Sequence, residues 1–183
     1  PKPQNPIALI YNISLFNMKI TSTIASLLGL TAAKEGISFV VVGDFAVILE
    51  MSMANNVFNK IEEMKKNAVP GSPEDFDFFV TVGDNLYVKM PHHPTQHEFD
   101  MMLDLFESRE HIKNLPIYPV RGNHDCKFND MYAEVNLTAK HPTWQMPNNY
   151  YRQDFPIGEN GEKVSLLHVD SCFLLCQTVH KDY

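Results

Sequence analysis

Apolar residues along this chain fall into short unbroken runs and helical stripes, and the two alternate. Ile37 to Asp44 reads ISFVVVGD, a valine-rich run closed by Gly-Asp. A strand buried on both faces has this pattern, because neither face needs a polar position. Over Ser52 to Asn67 the period changes: Met53, Val57, Ile61 and Met64 recur at helical spacing, with Lys60, Glu62, Glu63, Lys65 and Lys66 on the other side. This predicts an amphipathic helix. VPGSPED then makes a turn, and FDFFVTVGD (Phe76 to Asp84) repeats the buried-strand pattern. A second helix is predicted over Gln96 to Ser108, burying Phe99, Met102, Leu103 and Phe106. LPIYPVRGNHD, from Leu115 to Asp125, is a shorter apolar segment bounded by prolines. The order strand–helix–strand–helix–strand predicts an α/β fold with a largely parallel sheet.

Beyond it, Lys140 to Lys163 is rich in Pro and Asn and reads as loops and short strands, and Lys163 to Ser171 (KVSLLHVDS) reads as a fourth strand. There is no internal repeat, low-complexity tract or heptad pattern, and no linker between two domains. The composition, 44% hydrophobic and 20% charged over 183 residues, is that of one folded domain. Fifteen Lys+Arg against 22 Asp+Glu give a formal charge of -7 without a basic cluster, which argues against a nucleic-acid partner. An anionic substrate would need positive charge from a metal or a helix N-terminus.

Met18 opens MKITSTIASLLGLTAAKEG: one lysine, an apolar run from Ile20 to Leu30, then Thr31, Ala32 and Ala33. A secretory signal has this shape, with ~7–15 apolar residues before a small-residue cleavage site. Residues 1–33 are therefore expected to be an upstream segment plus a signal peptide cleaved after Ala33, and 34–183 the folded part. An ordinary helix and a membrane anchor are the alternatives. An anchor needs about 20 apolar residues, and Asn12, Ser14, Asn17 and Lys19 interrupt any longer run. No membrane span is expected in the mature chain. NLT at Asn136 to Thr138 is an N-glycosylation acceptor pattern that fits secretion. Cys126, Cys172 and Cys176 are an odd count, leaving one thiol unpaired or a partner missing, and spacing does not say which pair is bridged.

The candidate chemistry sits where the strands stop. The first ends Gly43-Asp44, the second Gly83-Asp84-Asn85 with Tyr87 close behind, and the third Gly122-Asn123-His124-Asp125. In an open α/β sheet the carboxyl ends of the strands converge on one crevice. Taken singly, a strand-end aspartate or Gly-Asp-Asn is ordinary turn or cap chemistry. Packing has little use for Asn-His-Asp in a row. Together, Asp44, Asp84, Asn123 and His124 form a donor set suited to hard cations, with the nitrogen widening the choice to iron, zinc or manganese.

GDF, GDNLY and GNHD resemble the first three motifs of the metallophosphoesterase superfamily. The tyrosine in GDNLY, with TWQMPNNYYRQDFPI and LLHVDSCFLLC, narrows the resemblance to purple acid phosphatases of the tartrate-resistant type, over roughly Ile37 to Cys176. The resemblance implies a metallophosphoesterase-like αββα sandwich. It implies an acid phosphatase, secreted or lysosomal/vacuolar, that hydrolyses phosphate monoesters with a metal-bound hydroxide. Its binuclear centre would hold Fe(III) plus Fe(II), Zn or Mn, and its substrates would be phosphorylated small molecules or phosphoproteins. In that arrangement Asp44 binds the ferric ion, Asp84 bridges the metals, Tyr87 binds iron as a phenolate and Asn123 binds the divalent metal. His124 orients the phosphate or protonates the leaving group.

Two departures stand out. Ala46 occupies a position where the family usually has glycine, in a tight loop. More seriously, the later Val-x-x-His and Gly-His-x-His motifs, which supply three histidine ligands, do not occur before Tyr183; Val179-His180 has the wrong spacing. The chain is expected to be the N-terminal part of a longer product. His92, His93 and His97 are alternative ligands, while His111, His141 and His168 read as ordinary surface or core residues. The rival readings are a metallophosphoesterase for diesters or phosphoproteins, and an inactive fragment or interaction module. The protein-phosphatase signature Gly-Asp-x-x-Asp-Arg-Gly is not matched by GDNLYVK.

Overall fold

The computed structural model describes residues 7–14, 36–88, 93–128, 130–157 and 161–171. The signal expected over 18–33, His92, Cys172, Cys176 and Val179-His180 lie outside them. The central sheet has four strands in the order β1-β2-β4-β6. β2 (Gly36–Gly43), β4 (Phe78–Thr81) and β6 (Ile117–Tyr118) run parallel, joined by α1 (Met51–Lys66) and α2 (Gln96–Glu107). The predicted strand–helix alternation is therefore present. β6 is only two residues long because Pro116 and Pro119 flank it, and proline has no N–H to give a ladder. β1 (Ile7–Ser14) was not foreseen as a strand; it runs antiparallel along the outer edge of β2, with Ile7 opposite Gly43.

Successive residues of the sheet face opposite layers, as strand geometry requires. Val40, Val42 and Phe79 join Phe58, Phe106 and Leu103 in a core between sheet and helices. The rings of Phe58, Phe79 and Phe106 meet edge to face or tilted, with Phe58 and Phe106 centroids 4.6 Å apart. Ile37, Phe39, Phe78 and Tyr118 face the other way. They are covered by a hairpin of β7 (Tyr150–Ile157) and β8 (Glu162–Val169), a separate two-stranded sheet. Phe78 lies between Phe39 and Phe155, stacked on each at 5.1 and 4.2 Å. Helices, sheet and hairpin give three successive layers of the αββα arrangement.

Two readings of the pattern need correction. The predicted stripe of α1 holds at Ile61, which is buried, and Val57 packs against the core, but Ala54 and Phe58 are the other buried positions and Met53 is 40% exposed. The larger phenyl ring reaches the core and defines the face. Residues 150–157, read as loops and short strands, form a full strand, and the fourth predicted strand is present and pairs with it antiparallel. Tyr151, Phe155 and Ile157 supply the apolar side of β7, and Pro156 is tolerated in a two-stranded ribbon with free edges.

Candidate metal centre

β2 and β4 lie side by side, so their terminal turns do too. Beyond the sheet the ladder continues loosely, with the N–H of Val82 donating to Val42 O at 2.9 Å and that of Asp44 to Gly83 O at 3.3 Å. Past the turns, β3 (Ala46–Val47) and β5 (Leu86–Tyr87) pair parallel, Ala46 opposite Leu86 and Val47 opposite Tyr87. The two turns are thus clamped from both ends. Ala46 is buried in the helix-side core, so its methyl is absorbed by packing.

Asp44 and Asp84 both adopt the left-handed conformation, with φ of 55° and 50°. For a residue with a Cβ this costs on the order of 1–3 kcal/mol and persists only where the surroundings enforce it, commonly at functional sites. Its effect is to turn both carboxylates out of the strand direction. They meet the phenol of Tyr87, whose hydroxyl donates to Asp84 Oδ2 at 2.8 Å and also to Asp44 Oδ1. Burial, then hydrogen bonds to both carboxylates, push the Tyr87 pKa well above its ordinary value. The His124 ring packs on Tyr87 at 4.2 Å, tilted by 42°. The backbone N–H of His124 donates to Asp84 Oδ1 at 2.8 Å. Burial and Lys127 lower the His124 pKa, and Asp84 and Asp44 oppose the shift.

Three anionic or ionisable oxygens converging from Asp44, Asp84 and Tyr87 fit a hard, highly charged cation. Such an ion would invert the proton arrangement, since a strong Lewis acid favours the phenolate over the phenol. Asn123 is exposed in the same loop, one residue before His124. Among the described residues no three His, Cys, Asp or Glu side chains gather as a metal site, so neither His93 nor His97 joins Asp44 and Asp84 to make one. Both histidines are exposed, and His97 lies in the first turn of α2. His111 is an exposed partner of Glu62, and His141 lies against Glu107 and Asp100. His168 is a core residue stacked on Tyr151.

A family model of the calcineurin-like phosphoesterases matches residues 37–179. The chain belongs to that family. It is 28% identical over 148 residues to tartrate-resistant acid phosphatase type 5 of Mus musculus, covering 79% of this chain and 43% of the relative. The Rattus norvegicus protein of that name is 26% identical over 147 residues, with the same coverage. The Homo sapiens one is 25% identical over 145 residues, covering 78% and 43%. The chain spans less than half the length of these curated relatives.

The phosphoesterase fold supports its turns with residues that the sequence reading left without a role. Arg121, just before the GNHD loop, donates to Asp170 Oδ2 from Nε at 2.8 Å and Nη2 at 2.5 Å, and both residues are buried. This pair joins the end of the third parallel strand to the end of β8. A lone charged residue beside each motif was the available signal, but no spacing links positions 121 and 170. Cys126 is disulfide-bonded. Asn136 is exposed on α3 (Ala133–Leu137), while the Thr138 hydroxyl donates to Met146 O at 3.2 Å. Among the described residues no helix is long and apolar enough to cross a membrane.

Proposed function

We propose that the protein containing this chain is an acid phosphatase that hydrolyses phosphate monoesters at a binuclear centre of Fe(III) and Fe(II), Zn or Mn. The observation that carries this reading is the convergence of Asp44, Asp84 and Tyr87 oxygens at the ends of adjacent parallel strands. The printed names of the relatives, acid phosphatases, support the substrate class. Two cations, when bound, supply the positive charge a phosphate needs and the acidity that activates water. Asp44 and Tyr87 would hold the ferric ion, Asp84 would bridge the pair and Asn123 would offer its amide oxygen to the divalent ion. His124, half-buried against Tyr87, would orient the phosphate or give a proton to the departing alkoxide. Substrates would be phosphorylated small molecules or phosphoproteins, and the enzyme would be secreted or lysosomal.

A second reading, a chain that binds metal weakly and does not hydrolyse, is favoured by the absence of a three-residue His/Cys/Asp/Glu cluster among the described residues. One experiment separates the two. The longest product of the gene is loaded with ferric iron and zinc, its metal content measured, and its hydrolysis of an aryl phosphate monoester and a diester compared at acid pH. Two metals per chain with monoester turnover supports the phosphatase. Full metal content with diester turnover alone, or no turnover, overturns it.

A further inference from the structure

Behind Asp84 and His124, the two loops that carry them grip each other through their backbones. Asp125 is fully buried, and both of its carboxylate oxygens are used. Oδ2 accepts the N–H of Gly122 at 2.7 Å and that of Asn85 at 3.1 Å, and Oδ1 accepts that of Leu86 at 3.2 Å. In the other direction, Asp84 Oδ1 accepts the N–H of His124 at 2.8 Å. Each loop therefore donates to a carboxylate of the other. Asn85 adds a second pin, its Nδ2 donating to Val120 O at 2.9 Å and to Glu134 Oε2 at 3.0 Å. An aspartate in a tight turn ordinarily satisfies amides of its own loop. Asp125 does so with Gly122 alone; Asn85 and Leu86 lie 40 and 39 residues away in sequence, and the buried carboxyl group of Glu134 also bonds to it.

We propose that Asp125 is a positioning residue: its carboxylate fixes the GDN loop against the GNHD loop and so sets where Asp84 and the His124 ring stand. The proposal rests on the reading of Asp84 and His124 as site residues, but the clasp itself is made by protein groups alone. Buried beneath the two loops, Asp125 acts through the backbone of its neighbours. A burial this complete, with both carboxylate oxygens engaged, keeps the geometry rigid, because each N–H released would be left without a partner.

The test is amide hydrogen exchange on the full chain, free of metal, comparing Asp125→Asn with Phe58→Leu. The second variant is a control expected to destabilise the helix-side core, where Phe58 packs on Phe79 and Phe106, away from both loops. Asparagine is isosteric, but whichever way its amide turns, an NH2 faces a backbone N–H. The expected result is exchange accelerated about tenfold or more at Asn85, Leu86 and Gly122, and equally at His124, whose own acceptor is Asp84. Exchange at His124 no faster than in Phe58→Leu overturns the proposal. Should Asp125→Asn not fold, Asp125→Glu keeps the acceptors on a longer stem and is read by the same amides, with a smaller acceleration expected in the same pattern. In the metal-loaded protein, Asp125→Asn is expected to lower kcat with KM within about twofold, as loss of transition-state geometry rather than binding. No hydrolysis by the parent protein would refute the phosphatase reading and leave the exchange result to decide the clasp.

Discussion

Gly122 packs so closely against Asp84 that a Cβ in its place would overlap the Asp84 amide nitrogen and Oδ1 and lie 2.9 Å from its Cγ. The glycine of GNHD is thus required by the aspartate of GDN, a residue on another strand. Gly122→Ala is expected to destabilise the fold by about 1–3 kcal/mol, as overpacking does. It should also weaken metal binding, because the displaced group is the carboxylate. Urea unfolding with and without metal measures both effects. An alanine variant as stable as the parent would show that the loops can separate freely.

Asp84 has a positive φ of 50°, and asparagine is one of the few residues at ease there. Asp84→Asn should therefore keep the metal-free fold, seen by circular dichroism, while losing the charge that would bridge two cations. Metal content falling below one ion per chain, with loss of hydrolysis, is the expected outcome. Retained two-metal stoichiometry would refute the bridging role.

Tyr87→Phe removes the hydroxyl that joins Asp44 and Asp84. The fold is expected to persist, since the ring still packs on His124. Visible absorption of the iron-loaded protein should vanish. A variant that keeps its absorption band would sink the phenolate assignment.

Arg121 and Asp170 form a buried ion pair, side chains 4% and 0% exposed. Removing one partner leaves an uncompensated buried charge, a loss of about 3–5 kcal/mol. Arg121→Met is expected to show this in thermal or urea unfolding. Adding Asp170→Asn should recover part of the loss, and simple additivity of the two changes would mean that the pair is not coupled.

His168 is buried, its Nε2 has no hydrogen-bond partner among the described residues, and its ring lies flat on Tyr151 at 4.1 Å. Burial lowers its pKa from 6.5 to about 4. Between these values the unfolded chain takes up a proton that the folded chain refuses, so stability is full above pH 6.5 and falls as pH drops toward 4. His168→Phe should flatten that part of the stability profile. An unchanged slope would place the acid sensitivity elsewhere.

The parallel strands, both long helices and the strand-end turns that carry the candidate site residues were legible because each is encoded locally. An apolar run without polar interruptions specifies a strand covered on both faces, and Gly-Asp or Gly-Asn marks its end. The start of the α1 face was misread because the stripe was drawn through Met53 rather than through Ala54 and the larger Phe58, while Ile61 was placed correctly. The β7–β8 hairpin was missed as a unit because prolines and asparagines in its vicinity obscure the alternation of Tyr151, Phe155 and Ile157.

The chain by itself offered the candidate donors: two aspartates, a tyrosine, an asparagine and a histidine, each tied to a turn by a neighbouring glycine or by the residues just beyond it. Only the tertiary structure decided that Asp44, Asp84 and Tyr87 share one spot, because their meeting depends on β2 and β4 being sheet neighbours in register. It also decided the support, since Asp125 against Asn85 and Leu86, and Arg121 against Asp170, pair residues about 40 to 50 positions apart. Sequence periodicity reports what a residue's own element does with it. Contacts across that distance are set by packing, and no local pattern records them.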